Sequence, residues 1–425
     1  MTVVVFLASL LGAMALGMPI AFALIVCALA LMVLQGSFDA TILSQKLIEG
    51  ADSYPLLAIP FFIFAGELMN RGGMSRRIVD FALALVGHVR GGLGLVAIFA
   101  AIIMAAISGS AAADAAALST LLIPMMRRAG YDVPRSAGLI AAGSIIAPCM
   151  PPSVALIIFG VIANVSIGKL FMATIVPGLL MGLSLVIAWM WVVRKDRIAA
   201  LPRKSLREVL AVSRQAVWSL IMPFGIVGGM KFGVFTPTEA AVVACAYALL
   251  VGMFVNRELS WRDLYPLLVS AAKTTSVVVF LIAAALVSAW LITTSAVPQQ
   301  IAAMLAPFMD SPRLLMFMMM VLVVIVGTAL DFAPTLMILT PVLMPIVTLA
   351  GIDPVYFGVL FIMNNAIGLI TPPVGIVLNV VSGVAKLSMA DVVKGCWPFL
   401  IAETIVLFLL VLFPALVMVP YRWLT

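Results

Sequence analysis

Apolar runs longer than any soluble domain buries follow one another along nearly the whole 425-residue chain, broken by short polar or proline-rich segments. A hydrocarbon core about 30 Å thick takes about 20 helical residues to cross. The runs 3–35, 54–70, 92–126, 136–162, 168–193, 216–232, 236–256, 266–295, 313–349, 355–385 and 395–420 are of that order or longer. Only 10% of residues are charged while 65% are apolar, against about 25% and about 45–50% in soluble domains. Too little polar surface exists to face water on all sides, which excludes a soluble enzyme and a disordered chain. The chain reads as an all-α polytopic membrane protein embedded in a lipid bilayer.

The formal charge of +7 does not point to nucleic acid, because the basic residues sit in the breaks between apolar runs. Seven of the 24 Lys and Arg residues cluster as Arg194, Lys195, Arg197, Arg203, Lys204, Arg207 and Arg214. An excess of this kind marks a cytoplasmic loop. No basic residue precedes Lys46 and no small-residue cleavage pattern follows the first run, so that run is expected to be a retained span. Cys27, Cys149, Cys245 and Cys396 lie far apart inside apolar segments and read as small buried hydrophobes. The single histidine, His88, falls in a Gly-rich break, where a loop position is expected.

The chain is also a duplication. Ala129-Gly-Tyr-Asp132 precedes Pro151-Pro152 by the same spacing as Ala350-Gly-Ile-Asp353 precedes Pro372-Pro373, at an offset of 221. Asp114 precedes Pro124 by ten residues and Asp331 precedes Pro341 by ten, which pairs the two aspartates at an offset of 217. Gly17-Met-Pro19 and Thr236-Pro237 open matching runs 218 apart. The organisation expected is a first repeat over 1–195, a basic amphipathic connector over 196–215 and a second repeat over 216–425.

Two runs, 92–126 and 313–349, are 35 and 37 residues long and interrupted near their middles. They read as a span followed by a re-entrant or hairpin segment. The first interruption, Ile107-Ser108-Gly109-Ser110 to Asp114, and the second, Gly327-Thr328 to Asp331 and Thr335, combine glycine, hydroxyls and a carboxylate. Such tips expose helix ends to a polar cavity. The alanines 111–113 read instead as helix packing. The Pro-Pro pairs, flanked by Ser153 in one copy and by Gly368 and Thr371 in the other, remove backbone donors and leave carbonyls unable to complete a helix. Bare carbonyls in a dry region are costly, and an oxygen cage of this type suits sodium.

Intramembrane carboxylates are few and each is a candidate functional group. Glu239 fits a capping box with Thr236. Glu403 is expected near a helix end, and Glu67 is expected to pair with Arg71 one turn on. Lys273 and the pair Asn364-Asn365 place polar groups near the midplane. An anionic substrate needs such groups, unless Lys273 snorkels to the interface.

These residues resemble a known family. Ala58-Ile-Pro-Phe-Phe-Ile-Phe-Ala-Gly-Glu-Leu-Met-Asn70, Ser108-Gly-Ser-Ala-Ala-Ala-Asp114, Ile146-Ala-Pro-Cys-Met-Pro-Pro-Ser153 and Gly368-Leu-Ile-Thr-Pro-Pro373 are similar, end to end, to the large membrane subunit of TRAP transporters, the tripartite ATP-independent periplasmic class. Gly50-Ala-Asp-Ser53 and Ser382-Gly-Val-Ala-Lys-Leu387 are most similar to its 2,3-diketo-L-gulonate type. The resemblance implies an elevator transporter in a bacterial inner membrane, an inverted repeat of about eleven transmembrane helices plus two re-entrant hairpins. It implies sodium as coupling ion and a small carboxylate such as a sugar acid as substrate. A small four-helix membrane subunit and a periplasmic substrate-binding protein would be the partners. On matching motifs, one sodium site would involve Ser108, Gly109, Gly143, Ile146 and Met150. The other would involve Gly327, Gly368, Thr371 and Val374, although Ala147 stands where the second copy has Gly368. Substrate contacts would fall on Ser110, Ser153 and Asp331, with Lys273 added from the reading of the residues.

Two other readings compete with this one. A stand-alone sodium/divalent-anion symporter would share hairpins and broken helices but need no binding protein. Asp114 and Asp331 as an intramembrane protease dyad lack the Gly-x-Gly-Asp context. No phosphate-cradling loop is present.

Overall fold

The structure is a computed structural model that describes residues 2–36, 38–196, 201–295, 300, 308 and 311–424. Arg197, and with it part of the expected connector, lies outside the described residues. The described residues form helices and turns with no strand among them, as hydrocarbon demands of a backbone that must satisfy its own polar groups.

The first half opens with α1 (Thr2–Ala15) and α2 (Ile20–Leu34). Pro19 sits at the cap of α2 and splits the expected run 3–35 in two. Next come α3 (Ala40–Ala51) and, after a 3₁₀ turn, α4 (Ala58–Arg71), bent against each other by 52°. Then follow α5 (Met74–Val86), α6 (Gly92–Ser108), α7 (Ala111–Arg128), α8 (Val133–Ser144), α9 (Val154–Ile162) and α10 (Ile167–Val193). A 3₁₀ turn over Ala147–Cys149 and the Pro151-Pro152 pair separate α8 from α9.

The second half begins with α11 (Leu206–Lys231), which runs unbroken through the boundary expected at residue 215. α12 (Pro237–Leu250) follows and continues through a π turn at Val251–Val255. Its start is the anticipated capping box, with the Thr236 N–H donating to Glu239 at 2.8 Å and the Glu239 N–H donating back to the Thr236 hydroxyl at 3.3 Å. α13 (Trp261–Thr294), α14 (Pro312–Ala329), α15 (Phe332–Leu349), α16 (Pro354–Gly368), α17 (Ile376–Ala385), α18 (Met389–Leu412) and α19 (Ala415–Leu424) complete the chain.

Six helices are long and apolar enough to cross a membrane, namely α10, α11, α12 with its π turn, α13, α15 and α18. The bent pairs α3/α4 and α8/α9 raise that to eight. These lengths give six to eight full spans among the described residues, fewer than the eleven expected. Shorter apolar helices such as α2, α6, α14 and α16 account for much of the difference.

The two halves interlock. Helices α2, α3 and α4 pack on α12 and α13, where the Ser288 hydroxyl donates to the Leu24 carbonyl at 2.9 Å. This group forms a frame on one side. On the other side α8 packs on α18 so closely that a Cβ on Gly138 would lie 2.4 Å from the Cys396 nitrogen. Small residues at both surfaces let transmembrane backbones approach in this way. The packed helix pairs α6/α7 and α14/α15 are each joined by a two-residue turn and lie between these groups.

Candidate functional site

The turn between α6 and α7 follows from two residues. Gly109 takes φ +61°, a left-handed conformation open to glycine. Ser110 then caps α7, accepting the Ala113 N–H at 3.4 Å. A Cβ on Gly109 would lie 3.1 Å from the Pro152 carbonyl oxygen and 3.3 Å from Ser153 Cα. The tip therefore rests directly on the break between α8 and α9. Ser153 is buried there and caps α9, accepting the Ala155 N–H at 3.2 Å.

The second copy repeats the plan with different chemistry. Asp331 caps α15, accepting the Phe332 N–H at 2.6 Å. Below this turn Gly327 meets the end of α16, where a Cβ on Gly368 would lie 2.9 Å from the Gly327 carbonyl oxygen. Asn365, fully buried, donates from Nδ2 to the Phe332 carbonyl at 2.6 Å. Asn364 donates to the Met320 carbonyl at 2.6 Å. These amides tie α16 to both arms of the second helix pair.

The caps correct the register of the repeat. Ser110 and Asp331 are the equivalent residues, 221 apart, in step with the Asp132/Asp353 and Pro152/Pro373 pairs. Asp114 is the counterpart of Thr335 and not of Asp331, since each N–H bonds the cap carbonyl four residues back at 3.1 Å. The 217 offset rests on Pro341, one of three prolines in α15 with Pro334 and Pro345, whereas Pro345 is the one that stands 221 after Pro124.

A cavity of about 420 Å³ lies where these parts converge. Ser108, Gly109 and Ser110 line it from the first turn, Asp331 and Phe332 from the second, and Pro148, Val154, Leu369 and Ile376 from the two breaks. The frame closes the other side with Ile63, Gly66, Glu67 and Asn70 of α4 and Thr274 and Val278 of α13. Most of the wall is apolar, with a few polar groups converging from separate elements, the usual make-up of a small-molecule site.

Of the expected residues, Ser108, Gly109, Ser110 and Asp331 line the cavity, and Ser153 adjoins its wall beside Val154. Lys273 does not line it; the side chain is exposed on α13 while the next residue, Thr274, faces in. Gly143 lies in the last turn of α8, and Ile146 and Met150 flank the 3₁₀ turn of the first break, away from the cavity lining. Gly143 is buried against Ala101, Ile146 is fully buried, and a Cβ on Gly178 would meet Met150 Sδ. Gly327 and Gly368 touch, with Thr371 and Val374 following in the second break.

Several carbonyls at the breaks are already hydrogen-bonded. That of Ile146 accepts the Cys149 N–H at 2.9 Å, and that of Gly368 accepts the Thr371 N–H at 3.1 Å. The Val374 carbonyl accepts from the Asn379 amide at 2.9 Å, and the Thr371 hydroxyl donates to Ile367 at 2.8 Å. Each carbonyl keeps a second lone pair, so these oxygens retain the capacity to hold a small cation.

Two carboxylates depart from expectation. Glu67 does not pair with Arg71. It accepts the Ser270 hydroxyl at 3.0 Å, while Arg71, at the end of α4, reaches Asp263 at 2.7 Å across the first turn of α13. Glu403 is not near a helix end but within α18, fully buried, with neither oxygen hydrogen-bonded. Sequence reasoning missed Asn70 and Thr274, whose only signal is that they share helix faces with Glu67 and Ser270, at spacings of three and four residues.

The family described as "Tripartite ATP-independent periplasmic transporter, DctM component" matches residues 7–416. The chain belongs to the TRAP transporter family as its large permease. It is 52% identical over 423 residues to the 2,3-diketo-L-gulonate TRAP transporter large permease YiaN of Escherichia coli, covering 100% of each chain. It is 40% identical to the sialic acid TRAP transporter large permease SiaM of Vibrio cholerae, covering 95% of each. Among solved structures the YdaH transporter of Alcanivorax borkumensis superposes with a TM-score of 0.65 over 90% of this chain and 88% of that one, at 14% identity. That likeness concerns the fold. The TRAP membership makes the chain a membrane component of a transporter and not an enzyme, and gives no support to a stand-alone symporter.

Proposed function

We propose that this TRAP large permease drives sodium-coupled uptake of a small organic acid, a sugar acid of the diketogulonate kind, across the bacterial inner membrane. The observation that carries the reading is the cavity that both helix turns and both breaks share with the frame. A carboxylate substrate there meets the Ser110 and Ser153 hydroxyls and, through its own hydroxyls, the acceptor oxygens of Asp331. The relatives fit this chemistry, since diketogulonate and sialic acid are both polyhydroxylated acids. Lys273, exposed on α13 and outside the cavity, is not among the substrate contacts of this reading.

Sodium binds in this reading where each turn touches its break. The first site takes oxygens from Ser108, Gly109, Gly143, Ile146 and Met150, and the second from Gly327, Gly368, Thr371 and Val374. The residues suit a hard monovalent cation, because they supply neutral oxygens and a cluster of three His, Cys, Asp or Glu side chains is absent among the described residues. Binding at the turns fixes the Ser110 and Asp331 caps, so sodium and substrate stabilise one arrangement of the same tips. The two repeats lie inverted, and the turn-bearing helices slide along the frame as an elevator. A small four-helix membrane subunit braces the frame and a periplasmic binding protein delivers the substrate.

Reconstitution with the small subunit in liposomes tests the proposal. Uptake of labelled diketogulonate is expected to require both an inward sodium gradient and the periplasmic protein. Uptake indifferent to sodium would refute the coupling, and uptake without the binding protein would refute the tripartite assignment.

A further inference from the structure

At the opposite end of α16 from Gly368, the ends of four helices meet around a pocket of about 290 Å³. Arg313 enters it from the first turn of α14. Arg422 enters from α19, with Pro414 and Met418 preceding it at intervals of four residues along one side. Asp353, the cap of α16, brings a carboxylate. Its Oδ1 accepts the Val355 N–H at 2.8 Å and the Tyr356 N–H at 3.1 Å, and among the described residues its Oδ2 accepts no hydrogen bond. The Tyr356 hydroxyl, which also reaches the pocket, is spent on the Leu410 carbonyl at 2.8 Å and holds α16 to α18. Charges of both signs thus line one small pocket, yet among the described residues neither arginine forms an ion pair with Asp353 or with any other carboxylate.

The depth of the pocket follows from α18. Gly395, near the start of that helix, packs on the Pro134 carbonyl, and the next residue along α8, Arg135, pairs at 3.1 Å with Asp196 beside the basic connector. From that side α18 runs for 24 residues, about 36 Å of helix and enough for a full crossing. Val411, in the pocket wall near its far end, therefore lies at the membrane surface opposite the connector. Phe413, Leu416, Val419 and Trp423 are exposed nearby, the apolar and aromatic fringe that sits at headgroup level. Guanidinium groups at that level meet phosphodiesters, which they bind through paired, charge-assisted hydrogen bonds. The carboxylate narrows the class, because it opposes a purely anionic headgroup and suits one that also carries a cationic donor. We propose that the pocket holds the headgroup of a phospholipid bearing a primary ammonium, its phosphate between Arg313 and Arg422 and its ammonium toward Asp353 Oδ2. Bound there, the lipid ties the starts of α14 and α16 to the ends of α18 and α19. The site is independent of the transported substrate and of its coupling ion.

The test is the midpoint of thermal unfolding of the purified, delipidated full chain in detergent, titrated with dioleoylphosphatidylethanolamine, with the corresponding phosphatidylcholine or phosphatidylglycerol, or with water-soluble glycerophosphoethanolamine. The choline lipid keeps the phosphate but its trimethylated ammonium cannot donate, and the glycerol lipid has no ammonium. The ethanolamine lipid is expected to raise the midpoint at a concentration about tenfold lower than either of the others. Arg313→Gln and Arg422→Gln, each read against its own lipid-free midpoint, are expected to need about tenfold more of it. Asp353→Asn keeps an acceptor for the cap N–H groups and is expected to erase the preference for ethanolamine over choline. Should that variant not fold, the wild-type comparison of these two lipids decides the role of the ammonium without it. Equal responses to all three lipids, a preference for the glycerol lipid, or arginine variants that titrate as the wild type does overturn the proposal. Glycerophosphoethanolamine acting at the same concentration as the lipid would assign the pocket to a soluble phosphate ester and overturn its assignment to the membrane.

Discussion

Asp331 does two things at once, closing the first turn of α15 and facing the cavity. An asparagine keeps an acceptor for the Phe332 N–H, so Asp331→Asn is expected to preserve assembly with the small subunit. Losing the charged acceptor toward a substrate hydroxyl costs about 1.5–3 kcal/mol, or about tenfold or more in apparent affinity. Uptake kinetics check this, and an unchanged KM refutes the contact. Thr371→Val removes a hydroxyl beside the second break, where it donates to Ile367. Sodium activation of uptake is expected to weaken while the amount of protein in the membrane stays constant. At this scale the sequence was legible wherever a side chain acts on its own backbone. The Thr236–Glu239 box and the small-residue turns were found where expected. Partners supplied by a distant helix were not legible: Glu67 was assigned to Arg71 because both lie on α4, yet Ser270 and Asp263, about 200 positions on, take them. Nothing local distinguishes those outcomes. Glu403 failed for a related reason, since burial within α18 depends on helices packed from elsewhere.

Each element in the site is defined by an interruption and by what fits against it. Gly368 ends α16 where it crosses Gly327, and a Cβ there would face backbone atoms at 2.9, 3.2 and 3.3 Å. Backbone cannot swing aside as a long side chain can, so Gly368→Ala is expected to push the second turn off its break. Overpacking of this kind costs about 1–3 kcal/mol. A lower midpoint of thermal unfolding together with weakened sodium stabilisation is the expected signature. An alanine variant with wild-type sodium response removes Gly368 from the second site. Gly109 is subject to the same argument with an added conformational cost, because its φ is positive as well. The breaks themselves were readable from paired prolines and small residues, and the helix pairs from runs too long for one span. The register between copies was not, because α15 contains more than one proline that could answer Pro124, and only the position of the caps chooses between them.

At the scale of the whole molecule, the frame helices α2, α3, α4, α12 and α13 meet the turn-bearing helices across a surface interrupted by two clefts. One is the cavity of about 420 Å³ and the other, of about 620 Å³, lies between Lys46, Glu49 and Trp290 on the frame side and Pro341, Met344 and Thr348 of α15. A boundary left open in two places is what relative sliding requires, whereas a continuous interdigitated core resists it. Contact across it includes the first turn itself: a Cβ on Gly66 of α4 would lie 3.7 Å from the Ser108 carbonyl oxygen and 3.9 Å from its Cα. That spacing puts cysteines at the two positions within reach of a short reducible thiol cross-linker. In a background without the four native cysteines, closing that bond between Gly66→Cys and Ser108→Cys is expected to stop uptake. Reductant should restore whatever uptake the same variant shows before cross-linking. Ser108 is also one of the proposed sodium oxygens, so the comparison is made within the double variant, before and after the bond closes, and its effect reports relative movement. Full uptake with the bond demonstrably closed would mean that frame and first turn travel together, and would rule out an elevator built on this boundary.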